Sequence, residues 1–342
     1  MPNEQSRRRF LNQLGVAGVA AAGGLGTVGL VGGARSVAAE PPPEITTIRI
    51  QKISSICTAP HYAAEALLRA EGFVDVGYEP NIGTPTHAVA SNQMDWATDF
   101  ASNFIAEVDS GAAVTVVAGI HAGCYNLLAH DPVHSIADLK GRTVGWDPPD
   151  YLPTKHLVAL MAKFVGLDPI TDIHWLDDPK ANPMALFIDG KIDGFLAVPP
   201  QIQELRARGI GHLLVNSATD RPWSQYFCCM LIGRTEFVQK YPVATKRIVR
   251  AFLKGTDLCA NAPELVARLM VERGFTDRYD YALETLQELP YDVWREFDPE
   301  DTVRFYTLRM NEAGFSKSTP QQIIANHTNW HFFNEVKREL KA

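Results

Sequence analysis

Strand-like and helix-like segments alternate through the first two thirds of the chain, and this alternation most constrains the fold. Apolar strands are predicted at 45–53, 96–98 and 114–120, and the helices between them at 61–71, 86–92 and 104–109. Such βαβ alternation is typical of α/β proteins with mostly parallel sheets. The sequence therefore predicts an α/β fold.

The middle of the chain repeats the alternation, whereas the last third does not. Further strands are predicted at 143–146, 173–176, 192–198, 213–215 and 226–232, with helices at 153–165 and 182–189. After Glu236 the strand signals stop, and the predicted helices span 242–260, 263–273, 279–288, 299–314 and 320–340. Proline opens several of these helices and glycine follows two of them, as helix ends prefer. The C-terminal part is predicted to be helical.

A short internal echo favours two similar α/β lobes. Residues 92–96 end a helix and enter a strand, and residues 190–195 do the same. In both places the strand runs into a loop rich in small residues, at 99–102 and at 197–200. Two lobes whose equivalent loops face each other would explain the match, and chance is the alternative.

Residues 1–39 have the pattern of a twin-arginine export signal. Arg7, Arg8 and Arg9 stand directly before an apolar stretch that is diluted by glycine. Such a signal is an address read by a receptor, it is not part of the fold, and it exports proteins already folded. Cleavage is expected near Glu40, with an uncleaved membrane anchor as the alternative. We expect a periplasmic protein.

Composition excludes several classes of protein. Of the 342 residues, 46% are hydrophobic and 21% are charged, which is typical of a globular chain with a sizeable core. The net charge is −7, and it becomes more negative when the basic N-terminal segment is left out. An acidic chain without basic runs is a poor candidate for binding nucleic acid or an anionic membrane.

The cysteine content is unusual for an exported chain. The five cysteines are Cys57, Cys124, Cys228, Cys229 and Cys259. Their spacing forms no disulfide framework and no CxxC metal site, so the sequence predicts no metal and no cofactor. We expect buried, free cysteines, with a single disulfide as the alternative. Cys228 and Cys229 are adjacent in an apolar strand, so their side chains are predicted on opposite faces.

Three stretches carry a resemblance to a known family. Residues 135–145, SIADLKGRTVG, are similar to the pattern s-l-x-D-L-K-G-K-x-V-g. The helix end at 190–195, and more loosely that at 93–96, matches a small-polar-hydrophobic-Asp run before a strand. The third stretch, 236–252, joins Glu-Phe and Tyr-Pro pairs to a long helix that contains Arg-Ala-Phe. The chain resembles the exported solute-binding proteins of the nitrate/sulfonate/taurine and thiamine-precursor group, which feed ABC importers.

The resemblance implies a type II-like periplasmic binding protein. Such a protein has two lobes, each with a mixed sheet flanked by helices, and a ligand cleft that closes about a hinge. The two crossings between the lobes would lie near 119–126 and 225–232. Lobe 1 would then be discontinuous, comprising 40–124 and 227–342, and lobe 2 would comprise 125–226. The implied partners are a small-molecule ligand and an ABC permease with its cytoplasmic ATPase, and the protein is expected to be a monomer.

In such folds ligands bind beyond the carboxyl ends of the strands, where helix amino termini offer free N–H groups. Thr58 and Ser102 have a second interpretation as helix caps, and His61 as a solvent-facing residue. The residues predicted to bind the ligand are Thr58, His61, Asp99, Phe100, Ser102, Tyr125, Asp147, Asp150, Tyr151, Thr154, Pro199 and Tyr226.

Four of these residues are aromatic (Phe100, Tyr125, Tyr151 and Tyr226) and three are acidic (Asp99, Asp147 and Asp150), which favours an aromatic or heterocyclic ligand, or one that bears an amine. No arginine falls in these loops, and Lys155 is the only nearby cation. One alternative is a sulfonate-, taurine- or nitrate-type anion held by helix amino termini. Another is a periplasmic sensor that presents its ligand to a membrane kinase or chemoreceptor. No catalytic motif occurs in the sequence, so we expect a binding protein and not an enzyme.

Overall fold

The structure, a computed structural model, describes residues 40–53, 55–80, 83–146 and 152–341. The predicted export signal at 1–39 lies outside the described residues and stays a prediction. The chain divides after Pro42, and the fold described below is that of the residues that follow. In the part of the chain that the structure describes, none of the helices combines the length and hydropathy that a bilayer crossing needs.

The strands form two separate sheets of five. In chain order, β1 to β10 span Thr47–Lys52, Asp75–Pro80, Trp96–Phe100, Val114–Ala122, Asn126–Ala129, Thr143–Trp146, His174–Trp175, Gly194–Ala197, His212–Asn216 and Phe227–Arg234. The first sheet has the order β2-β1-β3-β10-β4, and the second has the order β7-β6-β8-β5-β9. The chain therefore leaves the first sheet after β4 and returns to it with β10.

Each sheet is mixed in the same way. In the first sheet β1 pairs in parallel with β2 and β3, while β10 pairs antiparallel with β3 and β4. In the second sheet β6 pairs in parallel with β7 and β8, while β5 pairs antiparallel with β8 and β9. The antiparallel strand of each sheet is the one that follows a crossing. The predicted α/β class and the two mixed sheets are confirmed.

Helices cover both sheets, and most of them come from the C-terminal part of the chain. In chain order, α1 to α14 span Ala59–Ala63, Glu65–Ala70, Pro85–Ala90, Ala101–Asp109, Leu152–Phe164, Pro183–Ile188, Gln201–Ala207, Thr235–Lys240, Pro242–Asn261, Pro263–Glu272, Tyr279–Glu288, Pro299–Glu312, Pro320–His327 and His331–Lys341. The helix predicted at 320–340 is thus two helices. Proline opens many of them, and a Thr319–Gln322 capping box starts α13.

Burial explains why the C-terminal helices are needed. All nine residues of β4 are buried, so this strand must be covered on both faces. The last helix, α14, packs Phe332, Phe333 and Val336 inward, at a spacing that puts them on one face. A single large apolar cluster joins the first sheet to these helices and to part of the second sheet. A smaller cluster around Phe187 and Phe195 supports the second sheet alone.

The internal echo corresponds to equivalent positions in the two sheets. Asp95, just before β3, accepts a hydrogen bond from the backbone N–H of Arg49 in β1, at 3.0 Å. Asp193, just before β8, accepts one from the backbone N–H of Thr143 in β6, at 2.8 Å. Asp95 also pairs with the Arg49 side chain at 2.9 Å, and Asp193 pairs with Arg142 at 3.6 Å. Asp95 therefore connects the start of β3 to β1, and Asp193 connects the start of β8 to β6 in the same way.

The two crossings lie against each other without room for a side chain. The first runs from the end of β4 at Ala122 to Asn126, and the second runs from Ser217 to Tyr226. Gly123 has a φ of +53°, and a Cβ atom there would lie 2.2 Å from the Cα atom of Ala218. The Ser217 Oγ atom accepts a hydrogen bond from the Tyr125 N–H at 2.9 Å, and Ser217 N–H donates to Tyr125 O at 2.9 Å. The crossings form one bonded junction.

Nothing in the structure tests the predicted lobe boundaries, which stay a prediction. The strands of the first sheet fall within 47–122 and 227–234, and those of the second fall within 126–216. The strand–helix alternation predicted mostly parallel sheets, but each sheet is mixed. The reason is that β5 and β10 enter from the crossings and run against their neighbours.

We expect Gly123→Ala to lower the free energy of unfolding by about 3 kcal/mol, since it adds a backbone clash to an unfavourable φ. Gly141→Ala is the matched control, because Gly141 has a φ of +73° and no atom within 4 Å of its added Cβ. The control should cost only about 1 kcal/mol. Urea unfolding measures both values. Equal decreases in the free energy of unfolding for the two variants would show that the close approach of Ala218 to Gly123 does not contribute to the destabilisation.

Candidate functional site

Aromatic side chains from both crossings meet at one small cavity. The described residues that line it are Phe100, Gly123, Tyr125, Leu157, Ser217, Trp223, Tyr226, Cys228 and Tyr306. The Phe100 ring lies edge-on to Tyr125 at 5.4 Å and to Tyr306 at 5.1 Å between ring centroids. The Tyr226 ring stacks on Phe305 at 3.9 Å. The three aromatic residues predicted for the site, Phe100, Tyr125 and Tyr226, therefore converge.

A second cavity of about 20 Å³ adjoins the first crossing, and it has the room that one water molecule needs. The described residues that line it are Cys124, Asn126, Pro199, Ile202, Gln203, Asn216, Ala218, Thr285, Glu288 and Leu289. Its polar groups are mainly amides and hydroxyls. Among the described residues of both linings, Glu288 alone carries a charge at neutral pH. The two linings therefore combine aromatic rings with neutral hydrogen-bonding groups.

Glu288 is held by a cation from the opposite side of the cavity. Arg206 in α7, which follows β8 of the second sheet, lies 2.6 Å from Glu284 and within bonding distance of Glu288, both in α11. All three side chains are about half exposed. This ionic clasp joins a helix of the second sheet to the C-terminal helices.

Four cysteines gather beside the aromatic cavity. The Sγ atoms of Cys57, Cys124 and Cys229 all lie within 4.8 Å of one another. The Cys124 and Cys228 Sγ atoms are 3.0 Å apart, and all of these cysteines are free. Cys228 and Cys229 thus both approach Cys124, so the expectation of opposite faces is wrong. The pairing of β10 with β4 shifts register at these residues, which turns both thiols toward the first crossing.

His121 lies beside the cysteine cluster, in contact with Cys57 and Cys229, and is fully buried. It is the strand partner of Cys229, and its ring is 5.2 Å from that of Tyr291. Burial acts to lower the pKa of His121, but the charge of Cys229 and contacts with the Cys229 and Cys57 thiols outweigh it and raise that pKa. The neighbouring thiols of Cys124, Cys228 and Cys57 stabilise the Cys229 thiolate and lower the pKa of Cys229 well below its usual value.

His61 is buried and does not face solvent, so that interpretation is wrong. Only 1% of the residue is exposed, and the ring meets Phe252 edge-on at 5.3 Å. Its Nδ1 atom bonds to Thr58 O at 3.0 Å. Burial lowers the pKa of His61 to about 4, so the ring is neutral at neutral pH. His61 belongs to α1, a short helix that packs against α9, and this packing explains the burial.

Thr58 occupies the N-cap position of α1 but makes no capping hydrogen bond with its side chain, and the capping interpretation of Ser102 is wrong. The Thr58 hydroxyl donates to Ser55 O at 2.6 Å, and no side-chain bond caps α1. The cap of α4 is Phe100, and Ser102 lies inside the first turn of that helix. Ser102 is fully buried, and its Oγ atom has no hydrogen-bond partner among the described residues. Whether Thr58 and Ser102 bind a ligand stays a prediction.

Asp99 is occupied by its own chain. Its carboxylate accepts hydrogen bonds from the backbone N–H of Thr86 at 3.0 Å and from the Thr86 hydroxyl at 2.6 Å. It also accepts from the Phe100 N–H at 2.8 Å and from the Asn103 amide. The residue is buried between α3 and α4 and lines neither cavity. Asp99 therefore connects the first turns of α3 and α4, and these hydrogen bonds account for its burial.

The remaining predicted residues are placed as follows. Pro199 lines the second cavity, and Thr154 is buried in α5. Asp147, Asp150 and Tyr151 lie outside the described residues, so the acidic loop stays a prediction. The nearby cation, Lys155, pairs with Asp177 at 2.6 Å and lies over the rings of Trp146 and Trp175. The positive charge of Lys155 is therefore already paired, at Asp177 beside the second sheet.

Sequence reasoning missed the C-terminal contribution to the site. Tyr306 comes from α12, Glu288 from α11, and Tyr291 from the segment between them. The Tyr291 hydroxyl donates to Cys57 O at 3.1 Å, which ties this segment to the turn after β1. The C-terminal helices were predicted only as a cover for a sheet. Their periodic pattern gives no signal that individual aromatic residues reach the crossings.

A family model described as "NMT1/THI5 like" matches residues 67–265 of the chain. The chain belongs to the NMT1/THI5-like family. The matched range includes both crossings and the whole second sheet, so the resemblance predicted from sequence is confirmed. A comparison with curated proteins finds no match.

Solved structures share the fold across nearly the whole chain. The periplasmic nitrate-binding protein NrtA of Synechocystis PCC 6803 is 15% identical, with a TM-score of 0.70, over 88% of this chain and 90% of that one. The alkanesulfonate-binding protein SsuA of Xanthomonas axonopodis pv. citri, bound to MOPS, is 14% identical with a TM-score of 0.64, over 82% and 96%. The desulfurization enzyme DSZB is 14% identical with a TM-score of 0.59, over 86% and 100%. These identities show the fold alone, and the predicted periplasmic-binding-protein fold is confirmed.

His156 generates a prediction about acid stability. It lies in α5 and stacks on Phe315, from the C-terminal helical part, at 4.8 Å. Burial lowers the pKa of His156 to about 4. Between pH 6.5 and 4 the unfolded chain therefore binds a proton that the folded chain does not, and the free energy of unfolding falls as the pH falls.

We expect this histidine to account for up to about 3 kcal/mol of that loss, and His156→Gln to remove its share. Urea unfolding at several pH values measures the slope. His87→Gln is the control, because His87 is exposed, and it should keep the wild-type slope. An unchanged slope in His156→Gln would contradict the assignment.

Proposed function

We propose that this protein is the substrate-binding component of an ABC importer and binds a small aromatic or heterocyclic organic solute, or one with an amine. The observation that carries the proposal is the convergence of Phe100, Tyr125 and Tyr226 with Trp223 and Tyr306 at the junction of the two crossings. Aromatic rings at the hinge of two sheets give a flat ligand large contact faces. The family and the fold support a binding role outside the cytoplasm.

Neutral hydrogen-bonding groups beside the rings favour the same class of ligand. Asn126, Gln203 and Asn216 supply amide donors and acceptors, and Glu288 supplies the acceptor that an amine prefers. Lys155 is paired with Asp177 and does not offer an anion a countercharge. These groups distinguish the proposed solute from nitrate and from small sulfonates.

Binding in this arrangement requires the lobes to separate and close again. The aromatic residues fill their cavity, since Phe100 contacts both Tyr125 and Tyr306 and all three are buried. A solute must therefore enter while the two sheets are apart, and the rings then pack on it as the sheets approach. The crossings act as the hinge, and the clasp between Arg206 and α11 holds the closed form.

An anion is the second candidate, and one observation favours it. Ser102 is fully buried in the first turn of α4, where backbone N–H groups are unpaired, and its hydroxyl has no partner among the described residues. A sulfonate oxygen would suit such a site. The anion then binds at the amino terminus of α4, next to Phe100, without a cationic side chain.

A thermal-shift screen separates the two candidates. The refolded protein is tested against aminopyrimidines, aromatic acids and amines, and against taurine, alkanesulfonates and nitrate. A ligand present at 100 times its Kd stabilises the fold by about 2.7 kcal/mol. Hits among the aromatic or amine compounds support the proposal, and hits confined to sulfonates or nitrate replace it by the anion. Mass spectrometry of the recovered ligand checks for turnover, and any conversion would contradict a purely binding role.

We expect Tyr125→Ala to weaken the binding of the identified ligand by about 10- to 100-fold, because it removes a central ring from the cavity. Isothermal titration calorimetry measures the Kd. Tyr279→Ala is the control, since Tyr279 lies at the start of α11 and lines neither cavity. Equal affinities for Tyr125→Ala and the control would remove Tyr125 from the site.

Arg206→Ala is expected to weaken ligand binding by up to about fivefold, since a half-exposed ion pair contributes at most about 1 kcal/mol to the closed form. The change should appear as faster ligand release in stopped-flow experiments. Arg208→Ala is the matched control, because Arg208 is similarly exposed and pairs only with Glu204 of its own helix among the described residues. The clasp has no role in closure when both variants release ligand at the wild-type rate.

A further inference from the structure

We infer that Cys57, Cys124 and Cys229, with His121 as the fourth ligand, form a buried binding site for a thiophilic metal ion, Zn²⁺ in the first instance. The site goes beyond the proposed solute binding and, apart from Cys124, uses different side chains. It differs from the expectation from sequence that no metal site exists. The residues come from four separate elements, so no spacing motif could reveal it.

The three sulfur atoms are close enough to share one ion. Their Sγ atoms lie within 4.8 Å of one another. Tetrahedral zinc with Zn–S bonds of about 2.3 Å places its sulfur ligands about 3.8 Å apart. Small side-chain rotations therefore bring the cluster to zinc geometry. Three thiolates and one imidazole form a ligand set that is typical of closed, structural zinc sites.

The fourth ligand follows from the hydrogen bonds of His121. Its Nδ1 atom faces two carbonyl oxygens, Ala122 O at 3.2 Å and Gly123 O at 3.1 Å. Because carbonyls only accept, Nδ1 keeps its proton, and Nε2 is the ligand atom, which releases its own proton when a metal ion binds. The Nε2 atom is buried and has no hydrogen-bond partner among the described residues. The ring contacts the thiols of Cys57 and Cys229, so the nitrogen and the sulfurs share one space.

A second histidine repeats this arrangement beside the cluster. His61 points Nδ1 at Thr58 O, and its buried Nε2 also has no partner among the described residues. It lies close enough to Cys229 and His121 for their charges to interact. An unpaired, buried imidazole nitrogen costs free energy, and an ion bound by the His121 Nε2 atom would remove that cost at the cluster, with His61 as a neighbour and not a ligand.

The other close group of candidate ligands is a weaker site. Asp131, His134 and His212 also lie within reach of one ion, but Asp131 and His134 are largely exposed. His212 already bonds to Val133 O at 2.6 Å, and Asp131 lies 3.5 Å from His134. These groups are satisfied by protein and solvent. The buried cysteine cluster differs in that the His121 Nε2 atom beside it has no hydrogen-bond partner among the described residues.

An ion at this position would fasten three parts of the chain. Cys57 lies in the turn after β1, Cys124 in the first crossing, and Cys229 in the returning strand β10. Metal binding would therefore stabilise the junction of the crossings, and it would keep Cys124 and Cys228 from joining as a disulfide. Cys124 also lines the second cavity, whereas Cys57, Cys229 and His121 line neither, so variants at Cys229 and His121 test metal binding without altering the solute lining.

The test uses the full chain and Zn²⁺ or Co²⁺ as probes. Metal analysis of protein purified without chelator is expected to find one ion per chain. Titration of the metal-free protein with Co²⁺ should give thiolate-to-metal charge-transfer absorption and the strong visible bands of a tetrahedral site. Cys229→Ser should weaken Zn²⁺ binding by at least about 100-fold, and His121→Ala by about 10- to 100-fold. Cys259→Ser, at a buried cysteine of α9 outside the cluster, should bind like the wild type.

Thiol labelling of the unmutated protein keeps the inference testable if a variant fails to fold. Bound Zn²⁺ should slow the alkylation of Cys229 at least tenfold, and a chelator should restore the rate. Two results would overturn the site: Co²⁺ spectra without thiolate charge transfer, or a Cys124–Cys228 disulfide in protein purified with Zn²⁺ present. A failed solute screen changes neither readout, so the two proposals stand or fall separately.

Discussion

The pairing of β10 with β3 and β4 is the interaction on which the rest of the structure depends. This strand enters the first sheet from more than 100 residues away in the chain and supplies the only join between β3 and β4 among the described strands. Its fit is close on both sides: a Cβ on Gly119 would lie 2.3 Å from the Phe227 ring, and one on Gly233 would lie 2.7 Å from Trp96. The same strand brings Cys228 and Cys229 to the cluster and sets Tyr226 at the crossing.

Sequence patterns predict those parts of the fold that local physics controls. The strand at 143–146 and the helix at 279–288 have the predicted bounds, because apolar spacing and proline define them locally. The edge strand β2 was missed, since it contains Gly77 and Pro80 and buries little of its length. The four-residue strand β5 was missed as well. Its pairing on both sides, and not its length, makes it a strand.

In the candidate site, too, features set by the local sequence were predicted, and features set by distant contacts were not. The end of a strand is visible in sequence, and Phe100, Tyr125 and Tyr226, which were predicted from strand ends, line one cavity. The direction of a side chain is decided by its neighbours, and Asp99 turned toward Thr86 for that reason. The burial of His61 depends on α9, about 190 residues later, and the cysteine cluster depends on an irregular register in β10. No local pattern contains either fact.

The order of the strands also dictates the order in which the chain can fold. All strands of the second sheet lie within 126–216, so that sheet is complete before β10 is synthesised. The first sheet begins at residue 47, yet β4 has no partner until residues 227–234 have emerged. During synthesis the first sheet is therefore completed last, and until then the facing edges of β3 and β4 are exposed to water. A route that exports only folded chains would hold this protein back until nearly all of it has been made.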